Sequence, residues 1–97
     1  MAINGLHHVL LTVQDLERSS AFYTGLLGLT KVKEIPDDGV SGAKTLCALP
    51  DGRLLGLVQH QNNRREPFDE LRTGLDHLAF SVPAAELASW SQRLAAA

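Results

Sequence analysis

Two histidines occupy matching places in a chain that repeats itself. "GLHHVLLTV" (residues 5–13) aligns without gaps on "GLDHLAFSV" (residues 74–82), placing Gly5 on Gly74, Leu6 on Leu75, His8 on His77 and Val13 on Val82. Val9/Leu78, Leu11/Phe80 and Thr12/Ser81 keep their chemical character, whereas His7 falls on Asp76. Neutral imidazole nitrogen is a common ligand for Zn, Fe, Ni and Mn. Two histidines and one carboxylate on a single face leave coordination positions open for substrate or oxygen. A lone histidine on a strand is more often a hydrogen-bonded structural residue. Here repeat position and residue type agree, which makes His8 and His77 candidate metal ligands.

Such a pair needs two equivalent strands to carry it. Residues 5–13 alternate with period two: Val9, Leu11 and Val13 share one face, and Leu6, His8, Leu10 and Thr12 share the other. The first set is apolar enough to pack beneath a helix. The second puts His8 beside residues suited to line a pocket, and in the other copy His77 lies with Ala79 and Ser81. Thr12 and Ser81 are therefore candidate pocket residues that could bind substrate oxygen, although hydroxyls are also simply tolerated on half-buried strands.

Asp15 is a good N-cap, and the stripe Leu16, Ser20, Tyr23 and Leu27 predicts a helix that Gly28 ends. Residues 29–35 read as a strand stopped by "PDDG", and residues 44–49 and 54–60 as a hairpin turning at "PDGR". Polar "QNNRREPFDELRT" (residues 61–73) connects to the second copy, after which Leu87, Trp90 and Leu94 mark an amphipathic helix opened by Pro83. Tyr23 and Trp90 read as packing residues, and Asp69 and Glu70 as solvated loop charges.

The expected fold class is α+β. Residues 1–60 form a βαβββ module, 61–73 the connection, and 74–97 the strand and helix that begin a second, paired module. A curved mixed sheet would form a cleft. Because "RLAAA" ends inside a helical pattern, the second module reads as truncated; the chain is either a fragment or one whose open edge another chain completes.

Composition narrows the function. Nine Lys+Arg against eleven Asp+Glu, with no basic cluster beyond Arg64-Arg65, give no nucleic-acid footprint. The single cysteine, Cys47, cannot form an internal disulfide and reads as a buried thiol in a reducing compartment. With no signal-like start and no long apolar run, no membrane contact is expected and the chain reads as cytoplasmic. The sequence has no G-x-S-x-G elbow, no phosphate-cradling glycine loop and no Cys-x-x-Cys pair.

"GLHHVLLTVQDLERSSAFYTGLLGL", "LCALPDGRLLGLVQH" and "GLDHLAFSVP", in this order, resemble the vicinal oxygen chelate superfamily of glyoxalases, extradiol dioxygenases, fosfomycin-resistance and bleomycin-resistance proteins. The resemblance implies paired βαβββ modules around a cleft, often assembled as homodimers. It implies a divalent metal (Fe, Mn, Zn or Ni) acting as a Lewis acid on a small substrate with adjacent oxygens. It places the first-module ligand on His8 and the second-module ligand on His77. Where glyoxalases supply a glutamate from the last strand of the first module, this chain has Gly56. That favours a dioxygenase-like or lyase/transferase-like enzyme, with its third ligand beyond Ala97. His60, of the same parity as Gly56, is a possible substitute ligand or proton shuttle, and otherwise a solvated histidine at a strand end. The alternatives are a metal-free binding protein of the bleomycin-resistance type, in which the histidines only hydrogen-bond, or a truncated chain inactive alone.

Overall fold

The computed structural model describes all 97 residues, Met1–Ala97. They divide into two compact units, Met1–Arg65 and Glu66–Ala97.

In the first unit the order is β1 (His8–Thr12), α1 (Leu16–Ser20) with a π-helical continuation (Ala21–Leu26), β2 (Thr30–Ile35), β3 (Ala43–Ala48) and β4 (Leu54–Gln59). This is the βαβββ module expected from the sequence. The four strands make one open sheet in the order β1-β4-β3-β2. β1 runs parallel to β4, while β2–β3 and β3–β4 are antiparallel, so the sheet is mixed.

Alternation decides which side chains meet α1. Val9 and Leu11 of β1 are half-buried and register with Leu55 and Leu57 of β4, which in turn register with Cys47 and Thr45 of β3. Leu55, Leu57, Cys47 and Val58 are the buried apolar residues, with Leu57 and Cys47 fully enclosed. Burial pushes the Cys47 thiol up from its ordinary pKa, and nearby Lys31 offsets part of the rise.

Polar contacts pin α1 to this surface. Asp15 Oδ1 accepts from the Arg18 amide at 3.1 Å, as an N-cap should, and Gln59 Oε1 accepts from the Leu16 amide at 2.7 Å. One end of β4 thus satisfies an amide that the first helical turn leaves without a partner. Ser20 Oγ donates to the Oγ1 of buried Thr45 at 2.9 Å, so the one polar side chain in the core is paired.

The helix widens after Ser20. Thr24 Oγ1 donates to the Ser20 carbonyl at 2.7 Å, and the Leu27 amide reaches back to the Phe22 carbonyl, one residue further than an α-helical bond. Gly25, a poor helix former, lies inside this stretch. Gly28 at φ 76° then closes the helix, and the Leu29 amide bonds the Tyr23 carbonyl at 3.0 Å.

At the far edge, β2 carries an irregularity between Lys31 and Lys33 that leaves Val32 exposed. A lysine-flanked bulge on an outer strand discourages edge-to-edge pairing.

The second unit contains a 3-10 turn (Ala84–Glu86) and α2 (Leu87–Ala95), with Arg93 stacked over Trp90 at 5.2 Å. The expected helix is present. Residues 74–82, expected to repeat β1, make no ladder within the second unit. β1 pairs with β4, which follows after two intervening strands, whereas residues 83–97 form the 3-10 turn and α2 and no strand. Leu75, Leu78 and Phe80 are accordingly exposed, as are Leu87 and Leu94 of α2. No helix of the chain is long and apolar enough to cross a membrane.

Candidate functional site

β1 positions His8 as its parity demands. The strand's exposure alternates, with His8, Leu10 and Thr12 on the face away from α1. His8 registers with Leu54 and Leu10 with Gly56. A Cβ at position 56 would overlap Leu10 Cδ2 and meet Leu46 Cδ2 at 3.0 Å. Gly56 is therefore bare because Leu10 fills the space above it. A glutamate could occupy this position only by displacing that leucine, so the His8 face has an aliphatic floor where glyoxalases carry a ligand.

Thr12 shares this face, four residues along β1, or roughly 13 Å from His8 at the usual rise per strand residue. His60 is different. It follows the end of β4, two residues past Val58, the partner of Thr12, and its carbonyl accepts from the Asn63 amide at 3.1 Å. That puts it about 20 Å along the sheet from His8. His77 and Ser81 belong to the second unit and are exposed. Nowhere in the chain do three or more His, Cys, Asp or Glu residues come together as a group that could hold a metal ion.

The two histidines share a feature that alternation does not predict. His8 Nδ1 lies 2.8 Å from His7 Nδ1, the rings meeting edge to face with centroids 5.1 Å apart. His77 Nδ1 lies 2.7 Å from Asp76 Oδ1. In both copies the residue immediately before the histidine engages the same ring nitrogen and leaves Nε2 for another partner. The signal in the sequence was the pairing of His7 with Asp76. Their different types, and a parity opposite to that of His8 and His77, hid what they have in common, an atom able to accept a hydrogen bond. Exposed imidazoles with Nε2 available suit Mn, Fe, Ni or Zn in donor chemistry.

On the opposite, helix-bearing side of the first unit, a groove of about 830 Å³ runs between α1 and β2, lined by Ser20, Thr24, Lys31, Glu34, Thr45 and Gln59. Its lining is largely spoken for: Lys31 pairs with Glu34 at 2.9 Å, Ser20 with Thr45, and Gln59 with the Leu16 amide. The sheet separates it from His8.

A family model described as the Glyoxalase/Bleomycin resistance protein/Dioxygenase superfamily matches residues 5–97. Among solved structures, the chain is similar to a glyoxylase/bleomycin resistance protein/dioxygenase domain from Frankia sp. EAN1pec. The identity is 35% and the TM-score 0.86, over 98% of this chain and 74% of that one. It also shares its fold with the fosfomycin resistance protein FosX of Listeria monocytogenes, a mutant of which was crystallised with Mn(II) and 1S,2S-dihydroxypropylphosphonic acid. That match has 20% identity and a TM-score of 0.74, over 98% and 70% of the two chains. FosX of Mesorhizobium loti matches at 20% identity with a TM-score of 0.70, over 98% and 70%. Among curated proteins, none matches the chain.

Proposed function

Because the chain belongs to the glyoxalase/bleomycin resistance protein/dioxygenase superfamily, the vicinal oxygen chelate proteins, we propose that it is a metal-dependent enzyme acting on a small substrate with adjacent oxygens. His8 and His77 are the protein ligands we assign to the metal. The observation that carries this is the equivalence of the two histidines: same repeat position, both exposed, both with Nδ1 engaged and Nε2 available. The Listeria FosX crystallised with Mn(II) makes Mn(II) the first metal to try, with Fe, Zn and Ni as the others.

A divalent metal bound there would supply a Lewis acid for charge developing on substrate oxygen. The chain's own residues do the rest. His8 and His77 would hold the ion, each through its Nε2. Leu10 and Leu46, closed over Gly56, give the carbon part of the substrate an aliphatic floor and keep a fourth protein ligand out of the first unit. Thr12, on the same face, and Ser81 in the second unit offer hydroxyls to substrate oxygen. His60, about 20 Å from His8 along the sheet, is out of proton-transfer reach of an ion held there. The filled Gly56 position favours dioxygenase-like or lyase/transferase-like chemistry over a glyoxalase; one free, buried thiol suits a cytoplasmic location, and the superfamily likeness suits a homodimer.

Metal analysis of the purified protein tests this. Stoichiometric transition metal, lost in His8→Ala and again in His77→Ala, is the expected result. The aliphatic floor also favours a second reading, a metal-free binder of the bleomycin-resistance type. A wild type without metal affinity that still binds small apolar ligands would establish that reading instead.

A further inference from the structure

We infer that His7 and Asp76 are positioning residues, each accepting a hydrogen bond from the Nδ1–H of the histidine that follows and so fixing Nε2 as the metal-facing nitrogen. The inference rests on the metal site proposed above and goes beyond it, because neither residue touches the metal. Its ground is a coincidence in two separately described units: contacts of 2.8 Å at His7–His8 and 2.7 Å at Asp76–His77, to the same ring atom, from the same repeat position.

Proton bookkeeping leaves one neutral arrangement that exposes both lone pairs. A carboxylate at Asp76 can only accept, so Nδ1 of a neutral His77 carries the proton and Nε2 the lone pair. Between His7 and His8 one Nδ1 must donate and the other accept. If His8 donates, its Nε2 is free for metal and His7 holds its own proton on Nε2. Left alone in water, imidazole prefers the opposite tautomer, with the proton on Nε2 where a metal would bind. A partner on Nδ1 therefore removes a tautomerisation cost from metal binding and raises the basicity of the ligating nitrogen.

The two partners are unequal. A carboxylate makes a charge-assisted hydrogen bond and an imidazole a neutral one. His77 is accordingly the better-oriented, stronger donor, and His8 the weaker.

The test uses the full chain in two forms. In the metal-free protein, two-bond proton–nitrogen correlation spectra at a pH where the rings are neutral report each tautomer. The expected result is Nδ1–H at both His8 and His77, reverting to Nε2–H at His77 in Asp76→Ala and at His8 in His7→Phe. In metal titrations, Mn(II) affinity should fall about 10–100-fold in Asp76→Ala, the range found when such outer partners are removed. It should fall less in His7→Phe and rise in His7→Asp, which gives the first copy the second copy's carboxylate. All four residues are exposed, so these variants keep the fold. Nε2–H tautomers in the wild type overturn the inference. So does Mn(II) affinity that ignores Asp76→Ala and His7→Phe while His8→Ala and His77→Ala abolish it, an outcome that leaves the proposed function intact. A wild type that binds no metal overturns both.

Discussion

β1 and its copy at residues 74–82 share a pattern of residues and differ in everything that pattern needs from elsewhere. In the first unit the pattern is cashed out as structure. Val9 and Leu11 face a sheet surface covered by α1, every residue of β1 has a register partner on β4, and His8 is held at the strand's start. In the second unit the same alternation makes no ladder, and Leu78 and Phe80 stay exposed. The difference teaches that alternation specifies which face a side chain takes only once a neighbouring strand fixes the backbone. Strand hydrogen bonds are intersegment bonds, whereas the backbone hydrogen bonds of α2 run within its own segment. The helix of the second unit is therefore present and its strand is not.

The largest expected effect comes from opposing core positions. Leu57→Ala, at a fully enclosed site, should cost about 2–5 kcal/mol in denaturant unfolding. Leu78→Ala, at an exposed site, should stay within about 0.5 kcal/mol. Equal costs would mean the second copy is packed as firmly as the first. Next is Gly56→Ala, which pushes a methyl group into Leu10 and should destabilise by about 1–3 kcal/mol. Pairing it with Leu10→Ala, which vacates that space, should recover part of the loss. No recovery in the double mutant would break the claim that Leu10 fills the place of a missing side chain.

Smaller still is Ser20→Ala, which leaves the Thr45 hydroxyl beneath α1 without its donor and should cost about 1 kcal/mol in the same assay. The smallest effect lies in the β2–β3 turn. The Ser41 amide and hydroxyl and the Val40 amide hold the Asp38 carboxyl well below its usual pKa of 3.8. A depressed pKa means the ionised form is favoured by folding, so this contribution is whole above pH 3.8 and fades as pH falls below it. Asp38→Asn should slightly flatten the acid limb of the stability profile. A steeper limb would contradict the assignment.

Much of the first unit was legible because its signals are local or cooperative. Asp15 and Gly28 mark the helix ends, "PDGR" the hairpin, and alternation the buried face. β2, β3 and β4 differ from the expected ranges by about one residue at an end, whereas β1 begins at His8, three residues after the alternation starts. The π-helical stretch was not legible, since it depends on Thr24 bonding the Ser20 carbonyl and on Ser20 reaching Thr45 across the core. Nor was the role of Gln59, whose side chain caps a helix far away in the sequence. At the site, the repeat singled out His8 and His77 by identity. It passed over His7 and Asp76, which match by hydrogen-bonding capacity and not by type. Gly56 departs from the glyoxalase pattern in the sequence, but only Leu10 lying above it explains why no ligand fits there.

The central claim is that both histidines bind one metal ion through Nε2. X-ray absorption at the zinc edge of the protein loaded with one equivalent of Zn(II) tests it most directly. The account predicts two imidazole nitrogens at about 2.0–2.1 Å in the wild type, and loss of that imidazole shell in His8→Ala and in His77→Ala, neither of which retains the metal. A zinc shell of oxygens alone, or one unchanged by either substitution, would contradict it.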